Sequence, residues 1–192
     1  VSTIITNAET EDYDTSYAAS YYPEVVLNNG LVVPSSVAGV GAIASSQRQS
    51  GAPWFAPAGF NRGGIRSLGG PLGPTVKRPN ENLSKAERDK LYLRNINPIA
   101  NFPNEGPVIF GQKTLQQKAS ALDRINIRRL MIYLKKAIGE VCKTVLFDAN
   151  VQATWNRFLA GADPILADAK SRFGIAEYKL GLDDTTTTAD LK

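Results

Sequence analysis

The chain has 192 residues, 43% of them hydrophobic and 21% charged, enough to bury a core in one large or two small domains. It has no histidine and one cysteine, Cys142, which excludes a Ser-His-Asp triad, a Cys-His dyad, the usual zinc sites and an internal disulfide framework. The formal net charge is +4, and it is spread unevenly along the chain.

The amino terminus, Val1 to Thr6, has alternating β-branched residues and reads as a strand. It lacks the basic and long apolar segments of a signal peptide. An acidic loop follows, and up to Arg48 the only charges are Glu9, Glu11, Asp12, Asp14 and Glu24. Tyr17 to Leu27 reads as a strand interrupted at Pro23. Asn28-Asn29-Gly30 is a turn, because Asn and Gly tolerate positive φ, and Leu31-Val32-Val33 returns as the partner strand.

Pro34-Ser35-Ser36 opens a helix with a Ser cap ahead of Val37, Val40, Ile43 and Ala44. Its small residues Ala38, Gly39, Gly41 and Ala42 permit close approach to a neighbour, and Gly51 ends it. From Ala52 to Pro79 the density of Gly and Pro predicts an extended loop anchored by Trp54 and Phe55. Ser84-Lys85-Ala86-Glu87 is a capping box that starts a helix reaching about Arg94. Ile96 to Phe102 is a strand, Asn104-Glu105-Gly106 a turn, and Val108 to Gly111 another strand.

Ile127, Leu130, Met131, Leu134, Ile138 and Val141 share one face of a helix. Cys142 lies on an apolar helix face and is expected to be an inert buried thiol. Between Lys113 and Lys143 eight basic residues stand against Asp123 and Glu140, a net of +6. An acidic end and a basic middle can steer head-to-tail association of identical subunits or docking on an acidic partner; equally, these charges can be solvated faces of ordinary helices. Asp148 or Asn150 is expected to cap a helix carrying Trp155, Phe158 and Leu159. Asp163-Pro164 is expected to start another, ended by Gly174. Trp54, Trp155 and Phe158 are expected core anchors. Ile175 to Leu182 is a strand candidate. Asp183-Asp184, the nearest approach to a paired-carboxylate motif, opens a Thr-rich tail expected to be mobile. Strands and helices interleave without regular βαβ spacing, which predicts an α+β layered domain with a mixed or antiparallel sheet flanked by helices.

The order of these segments resembles one family. Tyr21-Tyr22-Pro23, Val33 to Val40, Pro53-Trp54-Phe55-Ala56-Pro57-Ala58-Gly59, Ile96-Asn97-Pro98-Ile99 and Phe102-Pro103-Asn104-Glu105-Gly106 occur in succession. They are followed by Val108 to Leu115, Asp123 to Leu130, and Leu146-Phe147-Asp148-Ala149-Asn150. This succession is similar to the carboxyl-terminal part of the sheath proteins of contractile phage (myovirus) tails and related contractile injection systems.

The resemblance implies a fragment of a longer subunit. Residues 1–80 would end the preceding, subtilisin-like sheath domain and its Gly/Pro-rich connector. Residues 81–192 would form a sheath carboxyl-terminal domain, truncated before its last strands and arm. It also implies a structural, non-enzymatic virion protein, assembled in the host cytoplasm, without cofactor or metal. Such subunits form stacked six-fold rings joined by strand exchange around a tail tube protein, and they meet baseplate and tail terminator proteins. No membrane or nucleic-acid binding is expected. Arg124, Arg128, Lys135, Lys136 and Lys143 are the candidate contacts to tube or neighbour, and Glu9, Glu11, Asp12 and Asp14 the acidic counter-surface. A basic nucleic-acid-binding module is the main rival, but aromatics are not interleaved with the basic run. An inactive hydrolase-like domain is a second rival.

Overall fold

The computed structural model describes residues 1–11, 13–68 and 73–182. The chain forms two compact units, Val1–Arg129 and Leu130–Lys192. Asp12, part of the acidic counter-surface, and the Thr-rich tail with Asp183-Asp184 lie outside the described residues.

The first unit begins with a helix, α1 (Ser2–Glu11), where the sequence predicts a strand and an acidic loop. Val1, Ile4, Ile5 and Ala8 fall at i, i+3, i+4 and i+7, and they pack against Leu83, Leu91 and Ile96. The same β-branched residues fit either period, so the apolar surface they meet decides the outcome. Strand β1 (Ser20–Tyr22) and strand β2 (Val25–Leu27) flank Pro23 as expected, but they join different sheets. Asn28 to Gly30 makes the predicted turn, with Gly30 at φ 85°. It leads into β3 (Val32–Val33), which pairs antiparallel with β2.

Helix α2 (Ser35–Ser50) ends at Gly51 in the left-handed conformation, as expected. Its start differs. Pro34 occupies the cap position without a side-chain bond, and the Ser35 hydroxyl donates instead to the carbonyl of Tyr21 at 2.7 Å. The small residues Ala38, Gly39, Gly41 and Ala42 are the buried face, whereas Val37 and Val40 are exposed.

The predicted long loop contains a short helix, α3 (Gly59–Arg62), and a fourth strand, β4 (Val76–Pro79), paired with β2. Pro79 fits because β4 lies at the edge of the β3-β2-β4 sheet, where a missing amide costs no ladder bond. Gly63 also has a steric reason: a Cβ there would stand 2.6 Å from the Ile109 carbonyl oxygen. Helix α4 (Lys85–Leu93) starts with the predicted capping box. Strand β5 (Ile96–Phe102) has its predicted limits, and β6 (Gly106–Ile109) begins two residues earlier than expected. The second sheet is β1-β5-β6, parallel between β1 and β5 and antiparallel between β5 and β6.

The main core gathers Val25, Leu27, Ala38, Ala42, Ile65, Leu68, Val76, Ile99 and Ile109 from both sheets, α2 and the segment between α3 and β4. Truncating Ile99 or Ile109 to Ala in such a site costs about 2–5 kcal/mol. Trp54 is buried as expected, and Phe55 is half-buried.

Helix α5 (Ile125–Lys143) begins in the first unit and continues into the second. Leu130 and Leu134 are buried, but Met131 is 46% exposed. Cys142 is exposed, contrary to expectation, because α5 leaves that side of its carboxyl-terminal turns uncovered. Helix α6 (Gln152–Ser171) differs from the prediction at both ends and in the middle. Val151 stands at its cap without a side-chain bond; Asp148 instead pairs with Arg157 at 2.8 Å, and Asn150 accepts from the Trp155 indole at 2.6 Å. Pro164 lies inside one continuous helix and starts no second one; the Asp163 carboxylate accepts from the Tyr178 hydroxyl at 2.9 Å and caps nothing. Trp155, Ala162, Leu166 and Ala169 are its buried face, while Phe158 is half-buried. The helix ends with Phe173, not Gly174, at positive φ. Residues 175–182 form no strand. The architecture is α+β, with small sheets and helices.

Candidate interaction surfaces

The basic candidates divide into engaged and free groups. Arg124 pairs with Asp123 at 3.1 Å and donates to the Tyr92 hydroxyl at 2.5 Å. Beside it the Lys113 ammonium donates to the Tyr92 carbonyl at 2.8 Å and lies 4.5 Å from the centre of its ring. Burial, reinforced by the Arg124 charge, pulls Lys113 below the usual lysine range. Arg128 donates to the buried Ser16 hydroxyl, and its guanidinium lies 4.2 Å from the centre of the Tyr17 ring. Arg129 donates to Gln47 at 2.5 Å; burial lowers its pKa, opposed by nearby Tyr21. In the second unit Lys143 bonds both oxygens of Glu140, at 2.8 and 2.9 Å. Lys135 and Lys136 are exposed and make no ion pair with the described residues. Among the five basic candidates, these two make no hydrogen bond or ion pair with the described residues.

The acidic candidates are also partly used. Glu9 pairs with Arg94 at 2.5 Å, and Asp14 accepts from the Gln117 amide at 2.9 Å. Glu11 is exposed, and hydrogen bonding with it raises the pKa of Tyr13. Glu9, Glu11 and Tyr13 line a groove of about 760 Å³ with Arg94, Lys113 and Asp123.

A feature that sequence reading missed lies at the far end of β5. The rings of Phe60, Phe102 and Phe110 meet at centroid distances of 5.0, 5.3 and 5.6 Å, yet Phe60 is 51% and Phe110 44% exposed. Arg88 stacks on Phe102 at 5.4 Å. Phe102 pairs with Gly106 across the sheet, and a Cβ on Gly106 would stand 2.8 Å from an Arg66 nitrogen. Phe60 is 42 positions from Phe102, and no periodicity links them.

Among the described residues no helix is long and apolar enough to cross a membrane. No family model matches the chain. A tail sheath protein of Vibrio phage KVP40 is 36% identical over 172 residues, covering 90% of this chain and 24% of the relative. The tail sheath protein of Enterobacteria phage T4 is 33% identical over 177 residues, covering 92% and 25%. The sheath complex of an extracellular contractile injection system, solved in its contracted state, superposes with a TM-score of 0.75 at 28% identity, over 92% of this chain and 48% of that one. The chain therefore spans about a quarter of the length of the curated relatives it matches. In sequence and in fold, the chain belongs to the contractile tail sheath proteins.

Proposed function

We propose that this chain is the carboxyl-terminal portion of a sheath subunit that polymerises as stacked six-fold rings around a tail tube and contracts to drive the tube through a host envelope. The observation that carries this reading is the likeness to an assembled, contracted sheath over 92% of the chain. Its relatives are structural proteins, and the role is mechanical, with no reaction to catalyse. Residues 1–80 would close the preceding sheath domain and residues 81–192 form the carboxyl-terminal one. The subunit would meet copies of itself, the tube, and the baseplate and terminator proteins that bound the tail. Assembly would take place in the host cytoplasm and the finished sheath would reside in the virion.

Within that reading Lys135 and Lys136 are the contacts to an acidic surface on the tube or a neighbour, supported by their exposure on α5. Each exposed pair contributes only about 0–1 kcal/mol, so the effect depends on repetition around a ring. Negative-stain microscopy of the full-length parent expressed alone tests the function: tubular polymers are expected, and a protein that stays monomeric at high concentration, with or without tubes, overturns it. Substituting Lys135→Glu and Lys136→Glu should impair assembly on the tube; normal sheath formation would remove these residues from the contact.

A further inference from the structure

Asn29 is the one asparagine of the chain that glycine follows, and the fold sets this pair at the tip of the β2–β3 hairpin. Hydrogen bonds frame the tip on every side. The Gly30 amide donates to the Leu27 carbonyl at 3.0 Å, the Leu27 amide to the Leu31 carbonyl at 2.9 Å, and the Asn28 amide to the Thr75 carbonyl at 2.9 Å. A three-residue connection of this kind needs a left-handed residue, and Gly30 supplies it at φ 85°. A Cβ on Gly30 would meet nothing within 4 Å, so backbone conformation, not crowding, demands the glycine.

That demand has a chemical consequence. The backbone nitrogen of the residue after an asparagine can attack the side-chain amide, and a side chain on that residue obstructs ring closure. Glycine removes the obstruction. The Leu31 amide also donates to Asn29 Oδ1 at 3.0 Å. This bond draws electron density from Cγ, the atom to be attacked, and closes a ring that contains the Gly30 nitrogen. The bond from the Gly30 amide to Leu27 opposes the attack, because the nitrogen must first lose its proton. Opening of the turn therefore gates the reaction. Asn28 shares the tip but precedes Asn29, whose side chain stands in the way.

We infer that Asn29 is a site of spontaneous deamidation built into the hairpin, and that its isoaspartyl product releases β3 from β2. A base takes the Gly30 amide proton, the nitrogen bonds to Asn29 Cγ, and the Cγ–Nδ2 bond breaks as ammonia leaves. Water then opens the succinimide. Attack at the Cγ carbonyl gives aspartate, whereas attack at the backbone carbonyl gives isoaspartate, whose main chain runs through Cβ and Cγ and is one atom longer. Either product brings a carboxylate to a tip that has no charged residue between Asn28 and Leu31. Only the longer backbone alters the pairing. Strand β3 is held by the pairs Val25–Val33 and Val26–Val32, and hairpin register follows loop length. Strand β2 keeps its second partner, β4, so the change stays with β3.

Peptide mass spectrometry of the folded chain, incubated at mildly alkaline pH, tests the site, with aspartyl and isoaspartyl products separated by chromatography. Conversion at Asn29 is expected about tenfold faster than at Asn28, equal to about 1.4 kcal/mol of barrier. Conversion no faster than at Asn28 overturns it. Hydrogen exchange then tests the consequence, comparing the isoaspartyl fraction with Asn29→Asp, which carries the same charge on an ordinary backbone. The Leu27 amide, whose bond to Leu31 closes the turn, should exchange on the order of tenfold faster in the isoaspartyl fraction. In Asn29→Asp it should exchange at the wild-type rate. Equal protection in the two forms overturns the release of β3.

Discussion

The side chain of Asn97 and the backbone of Lys113 close a reciprocal pair: the Lys113 amide donates to Asn97 Oδ1 at 2.6 Å, and Asn97 Nδ2 donates to the Lys113 carbonyl at 2.8 Å. The same Nδ2 donates to the Ser20 carbonyl at 3.0 Å. One wholly buried amide thus ties β5 to β1 and to the segment entering α5. Asn97→Leu would leave two carbonyls and an amide buried without partners. Each such group costs about 1–3 kcal/mol, so denaturant titration should show a loss of roughly 3 kcal/mol or more. A loss below about 1 kcal/mol would mean that water reaches these groups.

Two helical glycines should respond in opposite directions to alanine. In α2, a Cβ on Gly39 would stand 2.6 Å from the Tyr21 ring, so Gly39→Ala should lower the melting temperature. In α5, a Cβ on Gly139 would meet nothing within 4 Å, so Gly139→Ala should stabilise by about 0.5–1 kcal/mol through helix propensity. Equal effects at both sites would refute the close packing of α2 on Tyr21.

Alkaline pH should weaken the fold through Tyr21. Burial pushes its phenol up to about 12 from an ordinary value of 10.0, and Arg129 opposes the shift. A folded-state pKa above the unfolded one gives stability that is complete below pH 10.0 and is lost as pH rises towards about 12. The contribution is on the order of 2–3 kcal/mol. Thermal melts between these limits should fall faster for the wild type than for Tyr21→Phe.

Arg128 and Lys135 lie seven residues apart in α5, about two helical turns, and differ in role. Arg128→Ala removes a bond to a buried hydroxyl and a stacked cation and should cost roughly 1–2 kcal/mol of stability. Lys135→Ala at an exposed position should leave stability within about 0.5 kcal/mol. Chemical denaturation of the two variants side by side distinguishes them; comparable losses would contradict the division into engaged and free cations.

Local signals were readable wherever one short segment contains both partners of an interaction. The Asn28 to Gly30 turn, the Ser84–Glu87 capping box, the left-handed Gly51 and the apolar period of α5 all act within a few residues. The ordered motifs that resemble sheath proteins were legible for the same reason. Where the partner is distant, the reading failed. Val1 to Ala8 is helical because Leu83, Leu91 and Ile96 present an apolar face to it. Val76 to Pro79 is a strand because β2 offers an edge. Pro164 is carried through a helix that the isolated segment would break.

The candidate site divides in the same way. Sequence alone determined which residues carry charge and that the cations cluster between Lys113 and Lys143. Only the tertiary structure decided that Arg124 and Arg128 are engaged by Tyr92, Ser16 and Tyr17 while Lys135 and Lys136 stay free. It likewise assembled Phe60, Phe102 and Phe110 into one patch. The physical reason is that charge belongs to a residue, whereas its availability depends on what the fold brings within hydrogen-bonding reach.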